Sequence, residues 1–357
     1  MFDVITIGSA TQDIFIDSSS FANIQEIRNP QAKNSLLCFD YSTKIEVEKT
    51  VLDVGGGAIN SSVNFANLGY NTTTIVKVGK DINGEAVLRR LKEKNVDTSQ
   101  IIETDDYKTG FSVILTSFEG DRTVLAHRGA NNHLSLDEIP WEQIKQSKWL
   151  YIAPLSGASN LVLDKIADFA EENGVSMAIN PGTTQINRGV EDLKKVISTA
   201  EVLIMNKSEA LRITGMKEGH EQVYQKPGEF DPWPHNIHQM LFNLRAYKPK
   251  IVVMTDGSTG VLAFDGETFY HAPAFPSKVV STLGAGDAFS STFVGSLMKF
   301  NWDIEKALIF ASINSASIIE SFGAQSGLKT FDELEQIYEK NKDFKITKKN
   351  KEAEKVS

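Results

Sequence analysis

Short hydrophobic runs alternate along most of the chain with longer segments whose apolar residues recur at helical spacing. The strand-like runs "VITIG" and "TTTIVKVG" are followed by the helix-like segments "GAINSSVNFANLG" and "GEAVLRRLKEKN", and the same order returns at "SMAIN" and "VLIMN". Regular strand–helix alternation favours a mostly parallel sheet with helices on both faces. The pattern therefore predicts an α/β fold.

Two segments depart from this alternation. Residues 35–53 and 110–129 are rich in β-branched and aromatic residues, and "EGDR" within the second is typical of a hairpin turn. We expect the two segments to pair as a small β-lid over one edge of the main domain. The predicted organisation is one domain over 1–340 with a discontinuous lid at about 12–53 and 108–129.

Two other regions carry no candidate chemistry. The insertion 217–236 is rich in Pro and Gly and interrupts a helical region. The segment 341–357 is polar and rich in both charges, which predicts a disordered tail.

Composition and charge exclude several classes of protein. The 357 residues carry a formal net charge of −9, so no basic surplus is available to neutralise nucleic-acid phosphates. The single cysteine, Cys38, excludes an internal disulfide and a cysteine-rich metal site. No apolar run approaches the ~20 residues of a membrane helix, and no basic, apolar leader precedes "FDVITIG". We therefore expect a cytoplasmic protein that binds neither nucleic acid nor a membrane.

The run "TLGAGDAF" (282–289) places small residues and a carboxylate directly before a helix-like segment. Gly284, Ala285 and Gly286 would lie at the helix N-terminus, where unpaired N–H groups and the helix dipole attract an anion. Asp287 would fall in the first turn, kept ionised by the dipole, and could accept the proton of a hydroxyl that attacks a phosphate. A glycine-rich turn with an aspartate cap accounts for these residues equally well.

A second glycine-rich stretch, "DVGGGAIN" (53–60), also precedes a helix-like run. Gly56 and Gly57 permit close approach of a ligand, and Asn60 offers donors and an acceptor. The stretch is not a Walker A loop, because no Lys-Ser/Thr pair follows, and Asn60 takes the place of the third glycine of GxGxxG. Asp13 follows the first strand at the sheet edge where α/β proteins bind ligands, with an acid in an Asx turn as the alternative.

Two later strands end in residues suited to a nucleotide. Asn206 and Glu209 lie three apart at a strand-to-helix junction and would hold phosphates and hydrated Mg²⁺, but a capping box alone is the more frequent explanation. Thr255, Gly257 and Gly260 could line triphosphate oxygens, but a tight hairpin between two strands explains them more simply. Taken singly, each of these motifs is ambiguous.

The order of these motifs resembles that of the ribokinase-like (PfkB) carbohydrate kinase family over about residues 2–340. The matching elements are, in chain order, Gly8 with Asp13, "GGGAIN" (55–60), "VGKDING" (78–84), "RGAN" (128–131), Asn206 with Glu209, Thr255–Gly260, Thr282–Asp287 and "GAQSG" (323–327). The G-A-G-D run in this setting is specific to the family, whereas the other elements would be weak apart.

The resemblance implies a three-layer α/β/α sandwich with a mostly parallel central sheet and a small β-lid. It also implies phosphorylation of a hydroxymethyl group on a sugar or nucleoside, with ATP as the donor and Mg²⁺ as the cofactor. By matching position, Asp287 would be the base and the amides of Gly284, Ala285 and Gly286 the anion hole.

The resemblance carries over binding roles as well. Glu209 would hold Mg²⁺ through water, together with phosphates. The residues matched to the nucleotide are Asn206, Glu209, Thr255, Gly257 and Gly260. Those matched to the hydroxyls of the acceptor are Asp13, Gly56, Gly57 and Asn60.

Two departures from the family pattern change the expected substrate and cofactor. Members usually begin the G-A-G-D motif with Asp-Thr, where the Asp helps to bind an activating monovalent cation, but this chain has Ser281-Thr282. We therefore expect little dependence on such a cation. Gly57 stands at the lysine position of the ribokinase "GGKGAN" run, and "LYIAPLSG" lacks the acidic residue that ribokinases present to ribose. Ribokinase itself is thus disfavoured within the family.

Two alternatives stand beside a sugar or nucleoside kinase. A sugar-phosphate kinase would need extra basic groups in the pocket, for which Arg128 and Lys44 are the candidates. A catalytically silent sugar-binding sensor of the same fold would need no base, and the intact run Gly284–Asp287 argues against it. A homodimer formed through the β-lid is a further expectation.

Overall fold

Strands and helices alternate through the chain, as the hydrophobic pattern predicts. The structure is a computed structural model that describes residues 1–17, 25–28, 35–38, 41–42, 44–47, 49–116, 122–217, 233 and 235–351. The strands are β1 (Val4–Ile7), β2 (Thr11–Asp17), β3 (Gln25–Arg28), β4 (Ser35–Cys38), β5 (Lys49–Gly55), β6 (Thr72–Ile75), β7 (Lys77–Gly79), β8 (Ile102–Thr104), β9 (Gly110–Thr116), β10 (Arg122–His127), β11 (Trp149–Ile152), β12 (Ser176–Ile179), β13 (Val202–Asn206), β14 (Ile251–Asp256), β15 (Gly260–Phe264), β16 (Thr268–Ala272) and β17 (Thr347–Asn350). The helices are α1 (Gly57–Asn67), α2 (Ile82–Glu93), α3 (Trp141–Lys145), α4 (Leu163–Asn173), α5 (Thr183–Ile186), α6 (Gly189–Asp192), α7 (Lys194–Thr199), α8 (Lys207–Thr214), α9 (His235–Arg245), α10 (Ala285–Lys299), α11 (Ile304–Ile319) and α12 (Phe331–Glu339).

A nine-stranded sheet forms the centre of the fold, in the order β17-β16-β15-β14-β13-β12-β11-β1-β6. The six strands from β6 to β14 pair in parallel, whereas β15, β16 and β17 add on in antiparallel fashion. The prediction of an α/β fold with a mostly parallel sheet is confirmed.

Helices cover both faces of this sheet, because successive side chains of a strand point to opposite sides. Ile5 of β1 belongs to a buried cluster on one face that includes Leu241 of α9. Val4 of β1 belongs to a second buried cluster, on the other face, that includes Ile59 of α1 and Phe293 of α10. The strands therefore carry apolar residues on both sides, which gives the three-layer arrangement.

A separate four-stranded sheet, in the order β10-β9-β2-β5, forms the lid. The two segments predicted to pair with each other do not do so directly, because β2 lies between them. It pairs antiparallel with β5 and parallel with β9. Three residues separate the end of β1 from the start of β2, so the chain passes from the central sheet into the lid without a long connection. The predicted "EGDR" turn overlaps 117–121, outside the described residues.

The prediction of a disordered tail from residue 341 is wrong for residues 341–351. Strand β17 pairs antiparallel with β16 at the edge of the central sheet. Phe344, which is 8% exposed, packs in an apolar cluster with Phe331 and Leu334 of α12. Apolar side chains scattered among lysines therefore hold this segment, although its composition is that of a solvated tail.

Most of the insertion predicted at 217–236 lies outside the described residues, which omit 218–232 and 234. Helices α8 and α9 flank it on either side. Within the described part of the chain, no helix is both long and apolar enough to span a membrane.

Candidate active site

A cavity of about 360 Å³ lies where the parallel strands of the central sheet end and the lid begins. Its walls come from the segments after β1, β11 and β12, from the N-termini of α1, α8 and α10, and from β2 and β9 of the lid. This is the edge at which α/β sheets generally bind ligands. The predicted site residues that line it are Asp13, Gly56, Gly57, Asn60, Glu209, Gly284 and Asp287. The others do not line it: Asn206, Thr255, Gly257, Gly260, Ala285 and Gly286.

The N-terminus of α10 has the backbone that an anion site needs. Gly284 caps the helix with φ 80°, and a Cβ there would lie 2.6 Å from Ala324 O, so only glycine fits. A Cβ on Gly286 would meet nothing within 4 Å, which leaves open space beside the first turn. Ala285 N donates only a long 3.4 Å bond, to Thr282 O. The first turn of α10 therefore has open space beside Gly286 and, at Ala285, an N–H group that makes only a long bond.

Asp287 lies in that first turn, as predicted, and its environment raises its proton affinity. Burial raises the pKa of the Asp287 carboxyl to about 6, and the hydrogen bond that it accepts from Asn60 acts in the opposite direction. The Asn60 Nδ2 to Asp287 Oδ2 distance is 2.8 Å. Burial therefore outweighs the hydrogen bond from Asn60, and the carboxyl is still mostly ionised at neutral pH.

Asp13 lies on β2, at the opposite wall of the cavity, and is 7% exposed. Thr11 Oγ1 donates a 3.1 Å hydrogen bond to Asp13 Oδ1. Gly55 on the neighbouring strand makes room for this carboxyl, since a Cβ there would lie 2.2 Å from Asp13 Oδ2. The start of β2 is held by Asn131 of the "RGAN" motif, whose side-chain amide bonds both the N–H and the C=O of Ala10, at 2.9 and 2.8 Å.

The charge of Asp287 adds to the proton affinity of Asp13 in the same cavity. Burial raises the pKa of Asp13 to about 6, hydrogen bonds from Thr11 and Ser112 lower it, and the charges of Asp53 and Asp287 raise it again. Two interacting carboxyls lose their protons in two macroscopic steps that belong to the pair rather than to either residue.

We expect kcat/KM for the phosphate acceptor to fall as the pH drops through about 6, because protonated Asp287 cannot accept a proton. Both carboxyls are ionised above about pH 7, so the rate should level off there, and protonation of Asp13 should steepen the fall below it. Initial rates between about pH 5 and 8.5, with Mg-ATP saturating at each pH, measure this profile. A rate that does not change across this range would contradict the assignment of the base.

Asn206 and Glu209 form a capping box at the start of α8, as in the explanation of these residues that does not involve a ligand. Asn206 Oδ1 accepts from Glu209 N at 2.9 Å, and Glu209 Oε2 accepts from Asn206 N at 2.8 Å. The Glu209 side chain nevertheless lines the cavity as well, so the cap positions a carboxylate at the ligand edge. Burial raises the pKa of Glu209, and the charge of Asp287 adds to this effect.

The carboxylates of the cavity suit a Mg²⁺ ion that is bound together with the substrate phosphates. No group of three or more His, Cys, Asp or Glu side chains able to hold a metal occurs among the residues that the structure describes. Mg²⁺ generally keeps several waters and binds through one or two carboxylates plus substrate phosphates rather than in an all-protein cage. Glu209, in the same cavity as Asp287, is a suitable carboxylate to hold it through water.

A tight hairpin between β14 and β15 contains Thr255, Gly257 and Gly260. This is the simpler of the two explanations that the sequence offered for these residues. Asp256 pairs with Gly260, and the three residues between them form one turn of 3₁₀ helix. Gly260 has φ 103°, and a Cβ there would lie 2.2 Å from Ala272 O. Thr255 pairs in register with Asn206, so this hairpin is adjacent to the strand that leads to Glu209.

Ser281, which replaces the expected aspartate, is held by local hydrogen bonds. Its Oγ accepts a 3.4 Å bond from Leu283 N. Val280 N and Ser281 N both donate to Ile319 O, at 2.7 and 3.1 Å. The segment before α10 therefore keeps its shape through backbone contacts and a neutral hydroxyl.

We expect less than about a tenfold difference in rate, or ~1.4 kcal/mol, between K⁺ and a bulky organic cation at equal ionic strength. A serine hydroxyl gives a cation only a neutral oxygen, whereas cations of this type prefer anionic ligands. Initial rates with Mg-ATP and the best acceptor measure the difference. Ser281→Asp is the matched variant, and it should increase the preference for K⁺. A larger preference for K⁺ in the unaltered protein would show that other groups build the cation site.

The cavity also contains hydroxyl groups that the sequence analysis did not single out: Ser9, Thr11, Ser112, Ser156, Thr183 and Thr184. Ser156 and the two threonines follow the carboxyl ends of β11 and β12, so the rule that ligands bind at this edge could have found them. Ser112 enters the site because it pairs with Asp13 across the lid. That contact depends on a pairing between strands far apart in the sequence.

Comparison with known proteins agrees with this geometry. The family model described as pfkB family carbohydrate kinase matches residues 23–330. A ribokinase of Lactococcus lactis is 30% identical over 284 residues, which cover 78% of this chain and 84% of that protein.

Solved structures share the fold. The nucleoside kinase of Methanocaldococcus jannaschii superposes with a TM-score of 0.72 at 21% identity, covering 95% of this chain and 99% of that one. The Arabidopsis thaliana ribokinase, solved with ribose and ATP, has a TM-score of 0.74 at 20% identity, covering 94% and 98%. With the family model matching most of its length, this chain belongs to the pfkB family of carbohydrate kinases and is a phosphotransferase with an alcohol group as acceptor.

Proposed function

We propose that the protein transfers the γ-phosphate of ATP to a hydroxymethyl group of a sugar or a nucleoside. The observation that carries this proposal is the position of Asp287, in the first turn of α10 and in one cavity with Asp13. A carboxylate in the first turn of a helix suits a reaction in which a hydroxyl attacks a phosphate held at the N–H groups of that helix. Relatives within the family include ribokinases and a nucleoside kinase.

Asp287 would accept the proton of the attacking hydroxyl. Its raised pKa, about 6, makes it a better base than an ordinary aspartate while it stays ionised at neutral pH. Because the transition state of phosphoryl transfer is loose, orientation of the hydroxyl matters as much as basicity. The amides of Gly284, Ala285 and Gly286 would stabilise the charge on the transferred group.

The acceptor would lie between Asp13 and Asp287. The Asp13 carboxylate can accept hydrogen bonds from two hydroxyls of the acceptor, and Asn60 has a second amide hydrogen for it. Gly56 and Gly57 leave room, since a Cβ on Gly57 would lie 3.0 Å from Pro154 Cδ and 3.7 Å from Asp287 Oδ1. A lysine at position 57, as in ribokinases, would project into this region.

The nucleotide would lie on the other side of Asp287, along the ends of β13 and β14. Thr255, Gly257, Gly260 and Asn206 are adjacent there through the pairing of the two strands. Mg²⁺, held by Glu209 through water and by the phosphates, would supply positive charge that neutralises the phosphate oxygens.

A sugar phosphate is a less suitable acceptor. Among the cavity-lining residues that the structure describes, Arg128 is the one basic side chain, and it lies at the exposed rim. Lys44, the other candidate, is exposed and does not line the cavity. A dianionic phosphate usually needs several charged donors. The raised pKa of Asp287 argues against a silent sensor, because binding alone does not need such a carboxylate.

The outer face of the lid supports the predicted homodimer. Leu52 is 67% exposed and Leu125 is 57% exposed on this small sheet. The two leucines lie on the opposite edge strands of the lid, in one row across the sheet. Exposed apolar side chains on one face of a sheet are typical of an interaction surface. A cytoplasmic location stays the prediction made from the sequence.

One experiment separates the three functions. The protein is incubated with Mg-ATP and, in turn, free sugars, nucleosides and sugar phosphates, and ADP formation is followed. We expect turnover with a free sugar or a nucleoside, and the Asp287→Asn variant should abolish most of it. Turnover confined to sugar phosphates would favour the alternative kinase. Binding of a sugar without any ADP formation would favour the sensor.

A further inference from the structure

A continuous chain of hydrogen bonds joins an ion pair behind the site to the proposed base. Arg90 of α2 lies 2.8 Å from Asp53 Oδ1 of β5, and the same nitrogen lies 3.2 Å from Gln325 Oε1. Gln325 Nε2 donates to Asn60 Oδ1 at 3.1 Å. Asn60 Nδ2 then donates to Asp287 Oδ2 at 2.8 Å. The chain thus connects the lid, α2, the loop after α11 and α1 to the first turn of α10.

The chemistry of the partners fixes the orientation of both amides. The Arg90 guanidinium can only donate, so the oxygen of Gln325 must face it. The nitrogen of Gln325 then faces Val54 O, which can only accept, at 2.8 Å. This same nitrogen needs an acceptor on Asn60, so Asn60 turns its oxygen to Gln325 and its nitrogen to Asp287. Any other arrangement would place two donors or two acceptors against each other.

Burial makes these contacts hard to replace. Asn60 is 6% exposed and Gln325 is 5% exposed. A buried amide that loses its partner has little water available as a substitute, so a mismatched orientation is strongly unfavourable. The family resemblance assigns Asn60 to the substrate. Its oxygen and one of its amide hydrogens are nevertheless used in hydrogen bonds to protein groups, Gln325 and Asp287.

We propose that Gln325 is a positioning residue: held by Arg90, it determines which side of the Asn60 amide faces Asp287 and so orients the base. This inference rests on the proposed function for the role of Asp287. The contact itself concerns the proton affinity of Asp287, which can be measured without turnover. A hydrogen bond donated to the ionised carboxylate stabilises that form and lowers its pKa.

The test uses two substitutions at one position. Gln325→Glu can only accept, so it should attract the Asn60 nitrogen and turn the Asn60 oxygen towards Asp287. Gln325→Met removes the donor without imposing the reverse orientation. Gln100→Glu, at a partly exposed turn position that does not line the cavity, is the control for the change in net charge.

The readout is the titration of the Asp287 carboxyl carbon by NMR in ¹³C-aspartate-labelled protein, in Mg²⁺-free buffer. The signal is assigned by its loss in Asp287→Asn. Asp13, Glu209 and Tyr151 are the titratable groups coupled to Asp287 from β2, α8 and β11, and all three stay unchanged in these variants. A shift in Gln325→Met, which adds no charge, therefore reports the Asn60 contact, whereas a shift in Gln325→Glu also contains the repulsion from its own charge.

We expect the pKa of Asp287 to rise by about one unit in Gln325→Glu, which is a tenfold change in proton affinity, and by less in Gln325→Met. In Gln100→Glu it should stay as in the unaltered protein. If ATP turnover exists, the acid limb of its pH profile should move in the same order.

An unchanged pKa in both substitutions at position 325 would overturn the proposal, and so would equal shifts in the two, because orientation would then play no part. Should Gln325→Glu fail to fold, the comparison of Gln325→Met with the unaltered protein decides. Absence of turnover in the unaltered protein with any acceptor would overturn the proposed function, and the titration would still decide the inference.

Discussion

Asp287→Asn is expected to lower kcat by about a hundredfold or more, while the fold and most of the acceptor binding remain. An amide cannot accept the proton of the attacking hydroxyl, but it can still accept the hydrogen bond that Asn60 donates at 2.8 Å. The substitution therefore removes the base and leaves its main protein contact. A hundredfold loss corresponds to roughly 2.7 kcal/mol of transition-state stabilisation.

The measurement is kcat and KM for both substrates, with circular dichroism and a melting curve to verify the fold. Asp332→Asn is the matched control, because Asp332 lies in the first turn of α12, far from the cavity in the chain, and is exposed. It should retain the full rate. A near-normal kcat in Asp287→Asn would show that another group, or the phosphate itself, takes the proton.

Asp13→Ala is expected to raise the KM of the acceptor by about ten- to a hundredfold and to leave the KM of ATP nearly unchanged. A carboxylate that accepts hydroxyl groups contributes on the order of 1.5–3 kcal/mol for each hydrogen bond. Asp13 belongs to the lid, whereas the proposed nucleotide residues lie along β13 and β14, so the two effects should separate.

Kinetics with each substrate varied in turn measure this separation. Asp105→Ala serves as the control, since Asp105 is an exposed carboxylate paired with Lys80. It should change neither KM. An effect of Asp13→Ala that is confined to the KM of ATP would place Asp13 outside the acceptor site.

Much of the fold could be predicted because it depends on local patterns. Alternation of strand and helix along the chain predicts the parallel sheet, and the glycines before Asp287 predict the start of a helix. Asp287 could be singled out for the same reason, since the residues of the proposed anion site are neighbours in the sequence.

The parts that could not be predicted depend on contacts between distant segments. In the sequence, Gln325 is only part of the "GAQSG" motif. Its contact with Asn60 could not be predicted, because the two residues are 265 positions apart. The prediction of how the lid strands pair was wrong in its details, because β2 lies between the other two segments. The raised pKa of Asp13 comes from burial beneath that lid, which no local pattern contains. Phe344 likewise stabilises the last strand by packing against α12, a contact that the polar composition of this segment does not predict.

The last strand also has a consequence for how copies of the protein meet one another. An unpaired sheet edge presents free N–H and C=O groups that invite edge-to-edge aggregation, and lysines on the outermost strand oppose it. Strand β17 covers β16 in this way and carries Lys348 and Lys349 at the rim of the nine-stranded sheet. A chain that ended before Thr347 would expose Thr268–Ala272 as a bare template, so these final residues protect the solubility of an enzyme whose chemistry they do not touch.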